Sequence, residues 1–187
     1  KAIFQQSEGY LGLSFSKSGN WTNRYYNYPE QLPQVIAACK EADSKGWDCY
    51  FVPTILRRES RLGDSFKESN VAWVDYDKSE PVTWDIEPTV IVSTSDNRQH
   101  AYWSLEETLQ DANKLEEINK ALLLQHDGDG SGWDRTQLLR VPDTLSKKRN
   151  QPVVVTMLND NKYGADSFPK LCSFPSREVD RISTMHY

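Results

Sequence analysis

The sequence predicts an α+β domain, a mixed sheet flanked by helices, and three observations lead to that prediction. Short apolar segments rich in Val, Ile, Tyr and Trp interleave with two stretches of helical periodicity, without a strict βαβ repeat. The 187 residues suffice for a single domain with its own core. Hydrophobic residues make up 37% of the chain and aromatics 11%, including six Trp, a content that a folded protein needs and a disordered one lacks.

The elements follow in order. Residues 10–15 (YLGLSF) predict a first strand, closed by a polar turn at Ser18-Gly19-Asn20. A helix is expected over 29–45, where Leu32, Val35, Ile36, Cys39 and Ala42 recur at three- and four-residue spacing and Gly46 stands as a C-terminal cap. Residues 47–53 (WDCYFVP) read as a second strand and 56–70 as a polar, arginine-rich connection. Further strands are expected at 71–77, 89–93 and 98–103. A second helix is expected over 105–125: Ser104 and Glu107 form a capping box, and Leu105, Leu109, Ala112, Leu115, Ile118 and Leu122 form an apolar stripe. Then come a Gly/Asp turn (127–132), an apolar run (138–141) stopped by Pro142, a basic loop Lys147-Lys148-Arg149 and a strand at 153–157. After Asn159 periodic features are few.

Bulk properties exclude several classes. No apolar run approaches the roughly 18–20 residues that span a bilayer, so a soluble protein with no membrane partner is expected. Lys1 is neither an initiator Met nor the start of a signal peptide, and the chain reads as a domain excised from a longer protein. Cys39, Cys49 and Cys172 form no C-x-x-C pair, which speaks against a zinc knuckle or disulfide framework and for a reducing, intracellular location. Asn20-Trp21-Thr22 fits the glycosylation pattern only as a chance tripeptide. A net charge of −5 argues against a surface that grips DNA throughout, but not against a local basic channel.

Four stretches can carry chemistry. In WVDYDKSEP (73–81), Asp75 and Asp77 lie two apart on a strand, so both carboxylates face one way with Cα atoms roughly 6–7 Å apart. Left alone they repel, and one is pushed toward its protonated form, which invites a cation; the plain alternative is a strand end running into the turn Asp77-Lys78-Ser79. In DGDGSGWD (127–134), Asp127, Asp129, Ser131 and Gly132 imitate a calcium loop, but the twelfth position is Leu138 instead of Glu, and a Gly-rich loop delivering Asp134 to a strand end is the simpler reading. In TSDNRQHAYW (94–103), a hydroxyl, backbone N–H groups, Arg98 and His100 suit polyphosphate oxygens, or else form a plain hairpin. His126 and His186 read as structural or surface residues. In LLRVPDTLSKKR (138–149), Arg140 projects from a buried strand toward a carboxylate, and Lys147 to Arg149 form a charge run of the kind usually solvated.

The order of these stretches, an acidic pair after an apolar strand, then T-S-x-x-R-x-H-A-Y-W, then G-D-x-x-x-x-D-x-x-x-L-L-R-x-P-x-T-L, resembles the archaeo-eukaryotic primase superfamily, specifically the primase-polymerase domains of phage and plasmid replication proteins. The resemblance spans roughly residues 8–160. It implies that Asp75, Asp77 and Asp134 are the catalytic carboxylates of a two-metal site for Mg²⁺ or Mn²⁺. It implies that Ser95, Arg98, His100, Arg140 and Lys148 hold the triphosphate of an incoming NTP or dNTP. Asp143 and Ser146 depart from the Gly and Asn of the family's last motif. Arg57, Arg58, Arg61, Lys67 and Lys147 are the candidates for a groove that holds single-stranded DNA template and primer. The implied setting is the cytoplasm of a bacterial, archaeal or phage-infected cell. No P-loop is present, so a partner helicase would be another domain or protein. Two other classes remain open at this level: a non-catalytic DNA-binding initiator module, and a metal-dependent nuclease or phosphoesterase.

Overall fold

The computed structural model describes residues 3–5, 7–78 and 82–185. Among these residues there are three α-helices and ten strands, α+β as expected. The sheet runs β8-β3-β1-β4-β5-β7-β6-β10-β9, with β2 on the remaining side of β1. Its strands are β1 (Gly9–Lys17), β2 (Asn20–Tyr28), β3 (Asp48–Phe51), β4 (Ile55–Leu56), β5 (Phe66–Tyr76), β6 (Val90–Ser95), β7 (Arg98–Leu109), β8 (Leu139–Arg140), β9 (Thr144–Ser146) and β10 (Gln151–Leu158). Among the described residues the named strands pair antiparallel, and parallel pairing is confined to the bridge Leu105–Tyr163.

Strand alternation sorts β1. Leu11, Leu13 and Phe15 are buried in one core with Val35, Ala38 and Cys39 of helix α1 (Leu32–Ser44), while Gly12, Ser14 and Ser16 form the other face. Beyond α1, Gly46 takes a positive φ of 78°, the left-handed conformation expected of its place past a helix end. The short β4 pairs with both β1 and β5 and so joins the two halves of the sheet. A second core packs helix α2 (Ala112–His126) through Ile118 and Leu122 on Ala72, Val74, Ala101 and Trp103. Helix α3 (Ser176–Thr184) lies beyond, with Ile182 buried among Leu123 and Trp133.

Three expectations need correction. Asn20–Tyr28 is a strand instead of a link to a helix; its sequence NWTNRYYNY is largely solvent-facing, so it lacks the apolar alternation of a half-buried strand. Its partner β1 supplies every backbone pair. The connection at 56–70 contains β4 and the first half of β5, tied by Arg57 Nε donating to the Phe66 carbonyl at 2.7 Å. The second helix begins at Ala112, not 105. Residues 102–109 alternate as cleanly as they repeat at helical spacing, and pairing of Ser69 with Leu109 and Val71 with Ser104 decides for the strand. Ser104 N donates to Thr89 Oγ1 at 2.9 Å, and Asp111 caps the helix by accepting from Asn113 N and Lys114 N.

The three cysteines are free, Cys39 and Cys49 buried and Cys172 exposed. His126 packs between the rings of Trp84 and Trp103, a structural role. His186 and Ser79 lie outside the described residues. Among the described residues no helix is long and apolar enough to cross a membrane.

One buried amide joins helix, strand and loop. Asn119 is 0% exposed; its Oδ1 accepts from Trp73 N of β5 at 3.0 Å and its Nδ2 donates to the Trp133 carbonyl at 3.2 Å. Asn119→Ala would strand a buried N–H and a buried carbonyl, so urea unfolding is expected to show a loss of about 2–4 kcal/mol. A loss under ~0.5 kcal/mol would mean that water or relaxation satisfies both groups.

Candidate active site

Strand register places the acidic pair. Asp75 stands directly across from His100 in the β5–β7 ladder, with His100 Nε2 3.6 Å from Asp75 Oδ1. The Asp75 side chain is 20% exposed and that of His100 5%. Asp77 follows just past the end of β5, half exposed, with Arg98 Nε 2.5 Å from its Oδ1. Ser95 and Arg98 are partners at the turn between β6 and β7. From the other half of the sheet, Arg140 of β8 pairs with Tyr50 of β3 and lies over its ring at 4.9 Å. Asp48 accepts from Arg140 Nη1 at 2.5 Å and so fixes the guanidinium.

These side chains share one cavity of about 160 Å³. Asp75 and Asp77 meet Ser95, Arg98, His100, Arg140 and Lys148 there, so seven of the residues singled out in the sequence line it. Tyr50, Thr94, Leu138, Ser146 and Arg149 complete the lining. Among the described residues Ser95 Oγ, Ser146 Oγ and His100 Nδ1, in three residues of that lining, are buried without a hydrogen-bond partner. A signal for Tyr50 was present in the sequence, since it alternates with the buried Cys49 and Phe51 and must face the opposite side.

The acidic loop meets β5 at Asp129, and neither Asp129 nor Asp134 lines the cavity. Asp129 N donates to the Asp75 carbonyl at 2.7 Å, and Trp73 Nε1 donates to the Gly132 carbonyl at 3.0 Å. The approach is tight: a Cβ at Gly128 would lie 2.7 Å from Val74 Cγ1, and one at Gly132 would lie 3.0 Å from Asp75 Cβ. Helix α3 braces the loop from behind, where Trp133 Nε1 donates to the Ile182 carbonyl at 3.2 Å. Asp134 is outside the cavity; its Oδ1 accepts from Thr136 N at 2.7 Å and Thr136 Oγ1 at 2.6 Å, which shapes the turn toward β8. The calcium-loop template does not assemble either. Asp127 ends α2 in the left-handed region and pairs with Lys78, while Asp129 Oδ1 accepts from Ser131.

The expected DNA-contacting cations lie outside the cavity. Arg57 is tied to the Phe66 carbonyl, Arg58 to Asp64, Arg61 to the Thr136 carbonyl and Lys67 to the Glu8 carbonyl. Lys147 Nζ is 2.8 Å from Asp43 Oδ1, and its backbone N–H donates to Asp48.

Burial, then the negative charges of Asp129 and Asp77, pushes the Asp75 carboxyl up to about 7, with Arg140 opposing. Burial and then Arg140 push His100 down to about 3, so it is neutral at pH 7. Burial and the Asp75 charge hold the Tyr102 hydroxyl well above its ordinary range. Among the described residues no three His, Cys, Asp or Glu side chains form a ready-made metal cluster.

No protein-family model matches the sequence, and no curated protein does. Solved structures do. The chain is similar to the AEP domain of the cyanophage S-2L primase-polymerase, with a TM-score of 0.69 and 11% identity over 85% of this chain and 86% of that one. It is also similar to the catalytic domain of primase RepB′ in complex with initiator DNA, with a TM-score of 0.63 and 16% identity over 96% and 92%. A longer RepB′ primase structure matches with a TM-score of 0.64 and 17% identity; the chain covers 60% of it. The fold is therefore archaeo-eukaryotic primase-like.

The raised Asp75 carboxyl makes a stability prediction. Because about 7 in the folded state lies above the ordinary 3.8, stability falls as pH rises between the two, by up to ~1.4 kcal/mol per pH unit, and is level above. Asp75→Asn is therefore expected to be more stable than wild type in urea at about pH 8, with the gap closing toward about pH 4. Equal midpoints at both pH values would show that the carboxylate is not under strain.

Proposed function

We propose that the domain, residues 1–187 as one unit, is a template-directed nucleotidyltransferase acting as a DNA primase or primer-extending DNA polymerase on NTPs or dNTPs. One observation carries the reading: two carboxylates, one on β5 and one just past its end, share one cavity with cationic and hydroxyl side chains from β6, β7, β8, β9 and the turn at 147–149 in a primase-like fold.

Mg²⁺ or Mn²⁺ is the implied cofactor, and the residues fit it. The donors are all carboxylate oxygens, the class that hard cations take, and Asp75 is raised by burial and then by the charges of Asp129 and Asp77, the last two of which a cation would offset. A Mg²⁺ site of one or two carboxylates completed by substrate phosphates and water needs no preassembled protein cage. Asp75 and Asp77 would hold the ions, with Asp129, whose charge acts on Asp75, as third carboxylate in place of Asp134. When bound, the ions would acidify a primer 3′-hydroxyl and offset charge on the α-phosphate and departing pyrophosphate.

The chain's own groups do the rest. Arg140, clamped by Asp48 and Tyr50, offers a fixed cation to the triphosphate, with little reorganisation on binding. Arg98 would exchange Asp77 for phosphate oxygens. The unpartnered Ser95 and Ser146 hydroxyls and His100 Nδ1 would bond the remaining oxygens, and Lys148 would add charge at the rim. Arg57, Arg58, Arg61 and Lys67 would border the DNA strands, while Lys147 would act first through Asp43. A RepB′ catalytic domain of this fold is known in complex with initiator DNA, which supports a DNA partner.

The test supplies template, labelled nucleotides and Mn²⁺ or Mg²⁺, with and without primer, to wild type and Asp75→Ala/Asp77→Ala. Incorporation is expected in wild type and a loss of at least ~100-fold in the variant, since even outer-shell partners of metal sites cost 10–100-fold. Product without primer assigns a primase and product only with primer a polymerase. A shortened strand would point to a nuclease, and DNA binding without product to an initiator module; either outcome rejects the proposal.

A further inference from the structure

Trp21 is 56% exposed, whereas among the described residues the other tryptophans are partly or fully buried. A large indole left in water at the start of β2 costs burial that nearby apolar surface could have supplied, so its surroundings matter. In the ladder, Trp21 pairs with Ser16 and Tyr50 with Ser14, which puts both rings on the same face of the β2–β1–β3 segment. The rings meet across the two small serines, with centroids 5.5 Å apart and planes inclined at 37°. On from Tyr50 the Arg140 guanidinium lies over the Tyr50 ring at 4.9 Å, and Tyr50 and Arg140 both line the catalytic cavity. A continuous π–π–cation series thus runs from an exposed sheet edge into the candidate active site.

We infer that Trp21 and Tyr50 form a stacking platform for an unpaired base of a single-stranded DNA entering that cavity. The inference rests on the proposed activity for the kind of strand that enters. A base stacks on an aromatic face whatever its sequence, and the edge position of β2 leaves the indole free to receive it. Charge complementarity selects a nucleic acid over an apolar peptide: Arg149, which the triphosphate does not claim, stands at the cavity that the series enters, ready for the strand's phosphates. The platform supplies affinity without reading sequence.

The experiment measures binding of a short labelled oligodeoxynucleotide by anisotropy at several salt concentrations, for wild type, Trp21→Ala and Trp21→Phe. Trp21→Ala is expected to weaken binding about tenfold, with Trp21→Phe close to wild type. The salt dependence should be the same in all three, because stacking releases no counterions. An abasic strand of equal length should bind wild type and Trp21→Ala alike. Equal affinity of wild type and Trp21→Ala for the base-bearing strand, or an equal loss with the abasic one, overturns the platform. Incorporation assayed on the same preparations separates the two readings. Wild type that incorporates nucleotide without any Trp21 effect fails the platform alone. Wild type that binds through Trp21 without incorporating fails the catalytic reading alone.

Discussion

The site depends on one buried side chain that touches none of its ligand-facing groups. Asn119 holds β5 with one end and the backbone of the acidic loop with the other. Because both partners are backbone groups, the amide fixes chain paths and not side-chain rotamers, so every carboxylate downstream inherits its place. Gly128 and Gly132 then let the loop lie against Val74 and Asp75 at distances that a side chain would forbid. Helix α3 closes the arrangement from outside through Ile182 and Trp133. A strand end and a Gly-Asp loop are thereby packed together into one acidic corner.

The cationic wall is organised by a different device. Arg140 is held by Asp48, Lys147 by Asp43 and Arg98 by Asp77, each a pair drawn from distant parts of the chain. The first two pairs tie α1 and β3 to the 140–147 segment and keep their acids away from the cavity. The third differs because Asp77 is itself a cavity carboxylate, so Arg98 has to choose between it and an incoming anion. A pair with one half-exposed member is held weakly enough for Arg98 to exchange its partner, as the proposed phosphate role requires.

Much of this corner was legible in the sequence, and the failures have physical causes. Period-two alternation alone places Asp75 and Asp77 on one face, and the turn between β6 and β7 brings Ser95 beside Arg98. That the loop meets β5 at Asp129 was not legible. Asp129 and Asp134 stand in the same Gly-rich loop, and its path is held partly by Asn119, on a helix whose apolar stripe gives no hint of a polar partner. β2 was missed because an edge strand facing water carries no hydrophobic period. The start of α2 was misplaced because Leu105 and Leu109 satisfy both periods at once, and only pairing with β5 separates them.

The electrostatics of Asp75 lead to a last step. Among the described residues, His100 is the basic side chain within ion-pair distance of it, and burial keeps that imidazole neutral at pH 7. Arg140 opposes the rise in the Asp75 pKa but is turned toward Asp48, and Arg98 is turned toward Asp77. Protonation of His100 cannot come to the rescue either, because the pH needed, about 3, lies far below the value near 7 at which Asp75 itself takes a proton. The fold thus builds a carboxylate whose charge it does not balance internally. Near neutral pH the two ways to relieve it are a proton and an external cation, and only the cation leaves the carboxylate able to act as a ligand.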